Sequence, residues 1–331
     1  MSLKDKNIAL ICPKFYGYEN YIVNELREKG ANVYLIYENL EWVKVSYRFV
    51  YVYLPSRKIK LQEHYYKKEL NDIIKSLDYF FVIRGSSLSA DIMAWICSSA
   101  PKECKFIMYQ WDGVKNNHSA VEVASYFDKV STFDPEDSEK YGWEYRPLFY
   151  ISQLLKKDSK KDIDILFICA LHSNRAKVLK QLKKLVIDRS YKLKTVLHLN
   201  RLLYYKYKYI NKKSEVVNVD NKDLTFKQLS IKDSYDLYSR SKVVVDYTNV
   251  NQSGFTMRTI ESLGNGCKLI TNNIRIRNAD FYNENNIFIY DEDAFEIPEH
   301  FLSSPIIPVS KSVYEKYSLK CWIDDLIGDY S

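Results

Sequence analysis

Only 9 of the 331 residues are glycine, well under the roughly 7% of an average protein, so each glycine is a candidate for a backbone role. The 6 cysteines (Cys12, Cys97, Cys104, Cys169, Cys267 and Cys321) are scattered and form no CxxC pair, which argues against zinc ribbons and redox motifs. Most lie in or beside apolar runs, where a free cysteine behaves as a small hydrophobe. The 5 histidines are as dispersed, with no HExxH, and no protein-bound catalytic metal is expected. No apolar run approaches the roughly 18–20 residues needed to cross a bilayer. The opening MSLKDKNIALICPKFYGYEN turns polar too early for a secretory signal, so the chain reads as cytoplasmic. Short internal repeats and low-complexity segments are absent as well.

With hydrophobic residues at 46% and charged residues at 27%, the composition is that of a globular protein rather than a disordered or collagen-like one. At roughly 100–200 residues per domain the length suggests two domains, each large enough to bury a core without disulfide or metal staples. The net charge of +7 is unevenly spread. Residues 1–150 hold 20 basic and 20 acidic side chains, residues 154–213 hold 17 against 4, and residues 214–331 hold 12 against 18.

Short apolar runs rich in β-branched and aromatic residues alternate with amphipathic stretches, the pattern of parallel strands joined by crossover helices. Strands are expected at Asn7–Cys12, Asn32–Tyr37, Tyr79–Ile83, Lys105–Trp111 and Lys129–Phe133, with helices at Tyr18–Lys29, Tyr66–Lys75 and Ala90–Ser98. The segment Lys156–Lys161, KKDSKK, has linker composition. A second cycle follows: strand Ile163–Cys169, helix Arg175–Val186, strand Thr195–Leu199, helix Ile231–Ser239, strand Val243–Tyr247, helix Thr256–Leu263 and strand Lys268–Asn272. The expected fold is α/β, with two Rossmann-like doubly wound parallel-sheet domains. The division expected is residues 1–150, residues 151–310, and a C-terminal helix within 311–331 that packs back on the first domain. Ligands of such sheets bind outside the carboxyl ends of the strands, which points to a cleft between the two halves.

The segment Val243–Asn273, VVVDYTNVNQSGFTMRTIESLGNGCKLITNN, is the most informative. A buried strand leads into a loop with Gly254, then a helix closed by Gly264 and Gly266. A helix start after a flexible loop offers free N–H groups and a positive dipole end to an anion, so the backbone of Ser253, Gly254, Phe255 and Thr256 could hold a diphosphate. Glu261, two turns in, stands where a carboxylate could reach sugar hydroxyls. The plainer alternative is an ordinary βαβ unit whose glycines cap a helix.

Ser253–Asn273 resembles the donor-site segment of GT-B glycosyltransferases. More narrowly, YQWDG at Tyr109–Gly113, FDKVSTFDPEDSEKYG at Phe127–Gly142, RPLFY at Arg146–Tyr150, DILFICALHSNR at Asp164–Arg175 and SGFTMRTIESLGNGCKLITNN are together similar to bacterial glycosyltransferases of capsule and lipopolysaccharide (O-antigen) biosynthesis. The similarity runs in order over roughly residues 5–295. It implies a GT-B-like fold and transfer of a sugar from a nucleotide diphosphate donor to a hydroxyl of a surface polysaccharide or lipid-linked glycan, with no bound metal or cofactor. Glu261 would then bind the donor ribose and Ser253–Thr256 its diphosphate. Arg175 would add positive charge at the phosphates, where leaving-group charge must be neutralised, and Arg258 is a further candidate. Retaining members of this fold often carry a second glutamate eight residues before the first, and here that position is Ser253. The stereochemistry is therefore not implied.

An inverting reaction needs a general base. Asp112, after the apolar strand Lys105–Tyr109, is the first candidate, against the reading that it starts a turn with Gly113. His118 in KNNHS is the second and Asp91, after SSLS, the third, against a surface histidine and a helix-start residue respectively. Gly17 in PKFYGYEN would let the backbone approach an acceptor, with Phe15, Tyr16 and Tyr18 placed to stack on a sugar ring. Asp134 before Pro135 reads as a helix N-cap.

Residues Lys192–Lys213, KLKTVLHLNRLLYYKYKYINKK, combine 7 Lys or Arg with 4 Tyr. Three readings compete: an anionic membrane surface, which would make the protein peripheral at the inner face of the cytoplasmic membrane; a nucleic acid, though no recognised binding motif accompanies the patch; or an ordinary solvated element. A sugar-nucleotide epimerase on the same double fold is the alternative enzyme.

Overall fold

The computed structural model describes residues 2–38, 55–156, 158–172, 174–210, 216, 219–249, 252–293 and 295–328. Several expectations therefore fall partly outside the described residues: residue 157 of KKDSKK, residue 173 of the Asp164–Arg175 motif, residues 211–213 of the basic stretch, and residues 250 and 251 ahead of Ser253. The chain divides into two compact units, Met1–Pro147 with Leu319–Ser331, and Leu148–Ser318.

In the first unit β1 (Asn7–Cys12), α1 (Tyr18–Glu28), β2 (Asn32–Tyr37), α2 (Pro55–Leu70), β3 (Tyr79–Ile83), α3 (Ala90–Ser99), β4 (Lys105–Gln110), α4 (Ser119–Val123), β5 (Lys129–Thr132), α5 (Pro135–Tyr141) and β6 (Glu144–Tyr145) follow one another. The six strands form one parallel sheet in the order β2-β1-β3-β4-β5-β6. Every residue of β3 is buried, and β1 and β4 are buried at all but their first positions. Strands covered on both faces need continuous apolar sequence, which is why these runs were legible without alternation. The pairing Ile11↔Val82 brings the carboxyl ends of β1 and β3 side by side.

Helix boundaries follow local chemistry. Ser89 Oγ accepts from the Ile92 N–H at the start of α3, and Asp134 accepts from the N–H groups of Glu136 and Asp137 with Pro135 in the first turn of α5, each satisfying N–H groups the helix cannot. The helix expected at Tyr66–Lys75 is placed differently: α2 ends at Leu70 and a separate 3-10 turn spans Ile74–Ser76. The cause is the Asn71-Asp72 pair, whose side chains hydrogen-bond to each other and whose residue types favour turns. The apolar period that suggested more helix belongs to Ile74, buried in that turn.

The last helix of the chain, α12 (Leu319–Ile327), belongs to this unit. Its fully buried Trp322 meets Tyr109 edge to face at 4.7 Å and Phe81 at 6.2 Å, and Asp324 and Asp325 pair with Lys29 and Arg146 at 2.8 Å. Truncating a buried tryptophan typically costs about 3–5 kcal/mol, so this helix is structurally part of the first core.

The second unit holds β7 (Ile163–Ala170), α6 (Arg175–Arg189), β8 (Leu193–His198), α7 (Arg201–Tyr205), β9 (Leu224–Thr225), α8 (Ile231–Ser239), β10 (Ser241–Asp246), α9 (Met257–Gly264), β11 (Lys268–Thr271), β12 (Ile287–Ile289), α10 (Glu299–Ser303) and α11 (Lys311–Lys316). The sheet is again parallel, in the order β12-β11-β10-β7-β8-β9. Strand order reverses between β7 and β10 here and between β1 and β3 in the first unit. These are the topological switch points where doubly wound sheets bind ligands.

Gly264 has a packing role as well as ending α9. A Cβ there would stand 2.5 Å from Cγ of Tyr150, and the Tyr314 hydroxyl donates to the Gly264 carbonyl at 2.7 Å. Part of the basic block is neutralised by the acidic region that follows it. Lys177 pairs with Asp293 at 2.8 Å and Arg189 with Glu299 at 3.1 Å, while Lys183 meets both Asp220 and Asp223.

Candidate functional site

Both switch points carry clustered polar side chains. In the second unit, Asp246 ends β10 with no exposure and acts as a hub. One carboxylate oxygen accepts from Arg258 Nε at 2.8 Å. The other accepts from the hydroxyls of Thr256 at 2.9 Å and Thr259 at 3.0 Å. Thr256 also caps α9, accepting from the Thr259 N–H. A buried carboxylate is tolerated only when paired and fully hydrogen-bonded, and this one is. Its effect is to fix the start of α9 and the Arg258 guanidinium at the strand's carboxyl end.

Arg175 enters from the start of α6, buried, donating to the Ala170 carbonyl at 2.7 Å and the Tyr247 carbonyl at 3.3 Å. Its Nε is buried with no hydrogen-bond partner among the described residues. Arg258 donates to the same Tyr247 carbonyl, so two guanidiniums converge on one backbone oxygen. His172 Nε2 lies 2.6 Å from Arg175 Nη1; a guanidinium only donates, so this nitrogen accepts and the ring is neutral. Desolvation first, and then the Arg175 and Arg258 charges, hold the His172 pKa at about 4. Burial and the neighbouring Arg258 likewise lower Arg175.

The loop Ser253–Thr256 is buried. Asn273 donates to the carbonyls of Ser253 and Gly254 at 3.4 Å, turning them toward β11. The N–H groups of Phe255 and Thr256 donate to no atom among the described residues. The Phe255 ring is taken up by packing against Phe281, so its backbone alone is offered. Glu261 is 3% exposed, and its carboxylate meets the Tyr238 hydroxyl, whose pKa rises through burial and then this charge.

In the first unit the residue after β3 is Arg84, held at φ 74, a left-handed conformation that costs a non-glycine residue of order 1 kcal/mol or more. Its surroundings over-determine it. The Arg84 carbonyl accepts from the amides of Gln110 at 2.7 Å and Asn117 at 2.9 Å. Its Nε and Nη2 both lie 2.8 Å from the fully buried Glu38, which accepts from the Ser87 N–H with its other oxygen. The remaining nitrogen, Nη1, stands 3.8 Å from Asp112. Asp112 follows β4 with a side chain 43% exposed; crowding by protein atoms raises its pKa and Arg84 acts against that rise.

Beside this group lies an aromatic cluster. Phe15 packs on Trp111 at 5.4 Å, Tyr16 at 4.7 Å and Tyr18 at 5.9 Å. Phe15 and Tyr16 are exposed, whereas Tyr18 is buried and supports Phe15 from inside. Gly17 at φ 93 and Tyr16 at φ 56 make the turn, and buried Glu19 pins it by accepting from the Phe15 N–H at 3.1 Å.

The other two base candidates do not join the Arg84 cluster. His118 is an exposed residue just before α4, and Asp91 is exposed in the first turn of α3 behind the Ser89 cap. Arg175 and Arg258 are brought together, and Gly17, Tyr16 and Tyr18 lie in one turn. Sequence reasoning missed Arg84, Glu38, Trp111, Asn117, His172 and Asp246. The one local signal for Arg84 was its position before Gly85 at the end of an apolar strand. Two cavities, of about 270 and 370 Å³, border Gly266 at the amino end of β11, and neither is lined by Arg175 or Arg258.

No protein-family model matches the sequence, and no curated protein matches it. Solved structures do resemble it. Alr3699/HepE of Anabaena in complex with UDP-glucose superimposes with a TM-score of 0.56 at 8% identity, over 97% of this chain and 98% of that one. UDP-GlcNAc 2-epimerase of Neisseria meningitidis bound to UDP-GlcNAc gives 0.54 at 8% identity over 98% of each chain. The lipopolysaccharide outer core galactosyltransferase WaaB in its apo form gives 0.52 at 12% identity over 98% and 100%. The chain therefore has a GT-B-like fold of two Rossmann-like domains. Identities this low show the fold alone.

Proposed function

We propose that the protein is a glycosyltransferase that moves a hexose from a nucleotide diphosphate sugar to a hydroxyl of a surface polysaccharide or lipid-linked glycan, of the capsule and lipopolysaccharide type. The observation that carries the reading is the convergence of Arg175 and Arg258 on the Tyr247 carbonyl, just ahead of the loop that leads into α9, with Asp246 paired to Arg258. That arrangement leaves positive charge and two N–H groups for a diphosphate, the group whose charge grows as the sugar leaves. The acceptor oxygen bonds to the anomeric carbon, the bond from that carbon to the diphosphate oxygen breaks with its electron pair leaving on the diphosphate, and Asp112 takes the hydroxyl proton. Phe15, Tyr16 and Trp111 offer aromatic faces to an acceptor ring, with Gly17 shaping their turn. Ser253, Gly254, Phe255 and Thr256 meet the diphosphate through backbone, and Glu261 reaches the ribose once Tyr238 yields its place.

The aromatic cluster beside Asp112 favours a second sugar, which an epimerase has no use for. Incubation with donor alone separates the two: release of an isomerised nucleotide sugar without acceptor would replace transfer by epimerisation. Thermal unfolding in the presence of UDP, GDP, dTDP and CMP sugars identifies the donor, since a ligand at a hundred times its Kd stabilises the native state by about 2.7 kcal/mol. Asp112→Asn is expected to keep that stabilisation and lose turnover. Full activity in Asp112→Asn would pass the base role to His118 or Asp91.

A further inference from the structure

We propose that the surface formed by α7 and the π-helical turn that continues it, Lys206–Ile210, is a docking face for an anionic lipid bilayer. This segment is amphipathic in an unusual sense, because both of its faces are apolar. Leu203, Tyr204 and Tyr207 point inward and pack on the core of the second unit, which satisfies the usual need of a surface helix. Yet the outward face carries Leu202 at 77% exposure, Tyr205 at 53%, Tyr209 at 66% and Ile210 at 73%. Four large apolar side chains on ten residues of surface form a contiguous patch of the kind that marks an interaction site.

The charge on this face is of one sign. Between Lys192 and Ile210 the sequence contains no Asp or Glu. Arg201, Lys206 and Lys208 have no carboxylate partner among the described residues, in contrast to Lys177, Lys183 and Arg189 of the same basic block. Instead Arg201 sits 5.5 Å from the Phe226 ring, and Lys208 lies 5.5 Å from Tyr209 and 5.8 Å from Tyr204. The rings of Tyr205 and Tyr209 stack at 6.1 Å. Tyrosines and aliphatic side chains flanked by lysines match the boundary between acyl chains and acidic headgroups. A nucleic acid would use the lysines and the tyrosine faces, but offers nothing to Leu202 and Ile210. Because α7 follows the carboxyl end of β8, the face lies on the same edge of the sheet as Arg175 and Arg258. The inference adds a location to the proposed reaction, and its test uses neither donor nor acceptor, so either reading can fail alone.

The test is sedimentation of the full-length protein with vesicles of phosphatidylcholine mixed with phosphatidylglycerol, against phosphatidylcholine alone, at low and high salt. Binding is expected to the anionic vesicles at low salt and to weaken as salt rises. Lys206→Glu with Lys208→Glu should lower the partition coefficient at least 25-fold, since each basic residue neutralised accounts for roughly fivefold. Leu202→Ser, Tyr209→Ser and Ile210→Ser together should lower it at least tenfold at unchanged charge, with the thermal unfolding midpoint unmoved because these side chains face out. Absence of binding to anionic vesicles overturns the proposal, and so does wild-type binding by either variant. Tighter binding to a single-stranded DNA, retained by the triple serine variant, would overturn it in favour of a nucleic-acid surface.

Discussion

If Asp112 is the base, its ionisation sets the acidic limb of the pH–rate profile, and Arg84 sets where that limb falls. Crowding favours the neutral acid and raises the pKa; the Arg84 guanidinium favours the carboxylate and opposes the rise. Turnover is lost as pH falls through that pKa, so removing the Arg84 charge moves the limb to higher pH. At 3.8 Å a unit charge pair is worth between about 1 kcal/mol in bulk water and about 4 kcal/mol at an effective dielectric constant near 20. The two side chains are 43% and 25% exposed, so solvent screening places the pair near the lower end, about 1 kcal/mol, or roughly two-thirds of a pH unit. Arg84 cannot be removed alone, because that leaves Glu38 charged and fully buried at a cost of about 3–5 kcal/mol. Glu38→Gln and the double variant Glu38→Gln with Arg84→Gln avoid this. Glu38→Gln frees the full Arg84 charge to act on Asp112 and moves the limb below wild type, whereas the double variant moves it above Glu38→Gln. Asp134 and Asp137, which flank Gly113, are common to all three proteins and cancel in the comparison. Coincident limbs in three folded proteins, or a double variant below Glu38→Gln, would refute the assignment.

Two further outcomes test the second unit. Gly264→Ala should destabilise by about 1–3 kcal/mol through overpacking against Tyr150, read from the midpoint of denaturant unfolding, and Tyr150→Leu should recover part of the loss by removing the ring. His172 titrates at about 4 because the ring is desolvated and Arg175 and Arg258 repel its proton; a bound UDP brings opposite charge, so its NMR titration midpoint should rise on adding UDP. A midpoint that does not move would place the diphosphate elsewhere.

The longer strands were legible because each is an uninterrupted apolar run. β1, β2 and β3 begin and end where the sequence pattern placed them, and the other expected strands differ by one or two residues at one or both ends, whereas the short strands β6, β9 and β12 carry too few residues to show a pattern and were not expected. Helix α2 was less legible, since its apolar period continues past Leu70 into a turn that also packs inward. The candidate donor segment was legible because it is local: the strand end, the loop, the Thr256 cap and the helix lie within twenty consecutive residues. The Arg84 cluster is the opposite case. Glu38, Arg84 and Asp112 come from three loops, the first two 46 positions apart, and only the parallel register of β2, β1, β3 and β4 brings those loops together. Likewise the basic block looked like one patch in the sequence, while the structure pairs Lys177, Lys183 and Arg189 with carboxylates from residues 220–299 and gives Arg201, Lys206 and Lys208 no carboxylate partner among the described residues.

The two switch points differ in a way that bears on what each can bind. At β7 and β10 the Arg258 guanidinium, paired with the buried Asp246, and the Arg175 guanidinium meet at the Tyr247 carbonyl, two cations that suit a diphosphate. At β1 and β3 one guanidinium, Arg84, faces two carboxylates, Glu38 and Asp112, and the balance is negative. A phosphate or carboxylate close to the reacting hydroxyl would be repelled there, by an amount that grows as the site excludes water. An uncharged sugar stacked on Phe15 and Trp111 meets no such penalty and gains contact area from the aromatic faces. The charge balance therefore favours an acceptor whose terminal residue is neutral. Between two acceptors differing only in a uronic acid or a hexose at that end, the hexose should give the higher kcat/KM, and the difference should shrink in Glu38→Gln, where one of the two negative charges is gone.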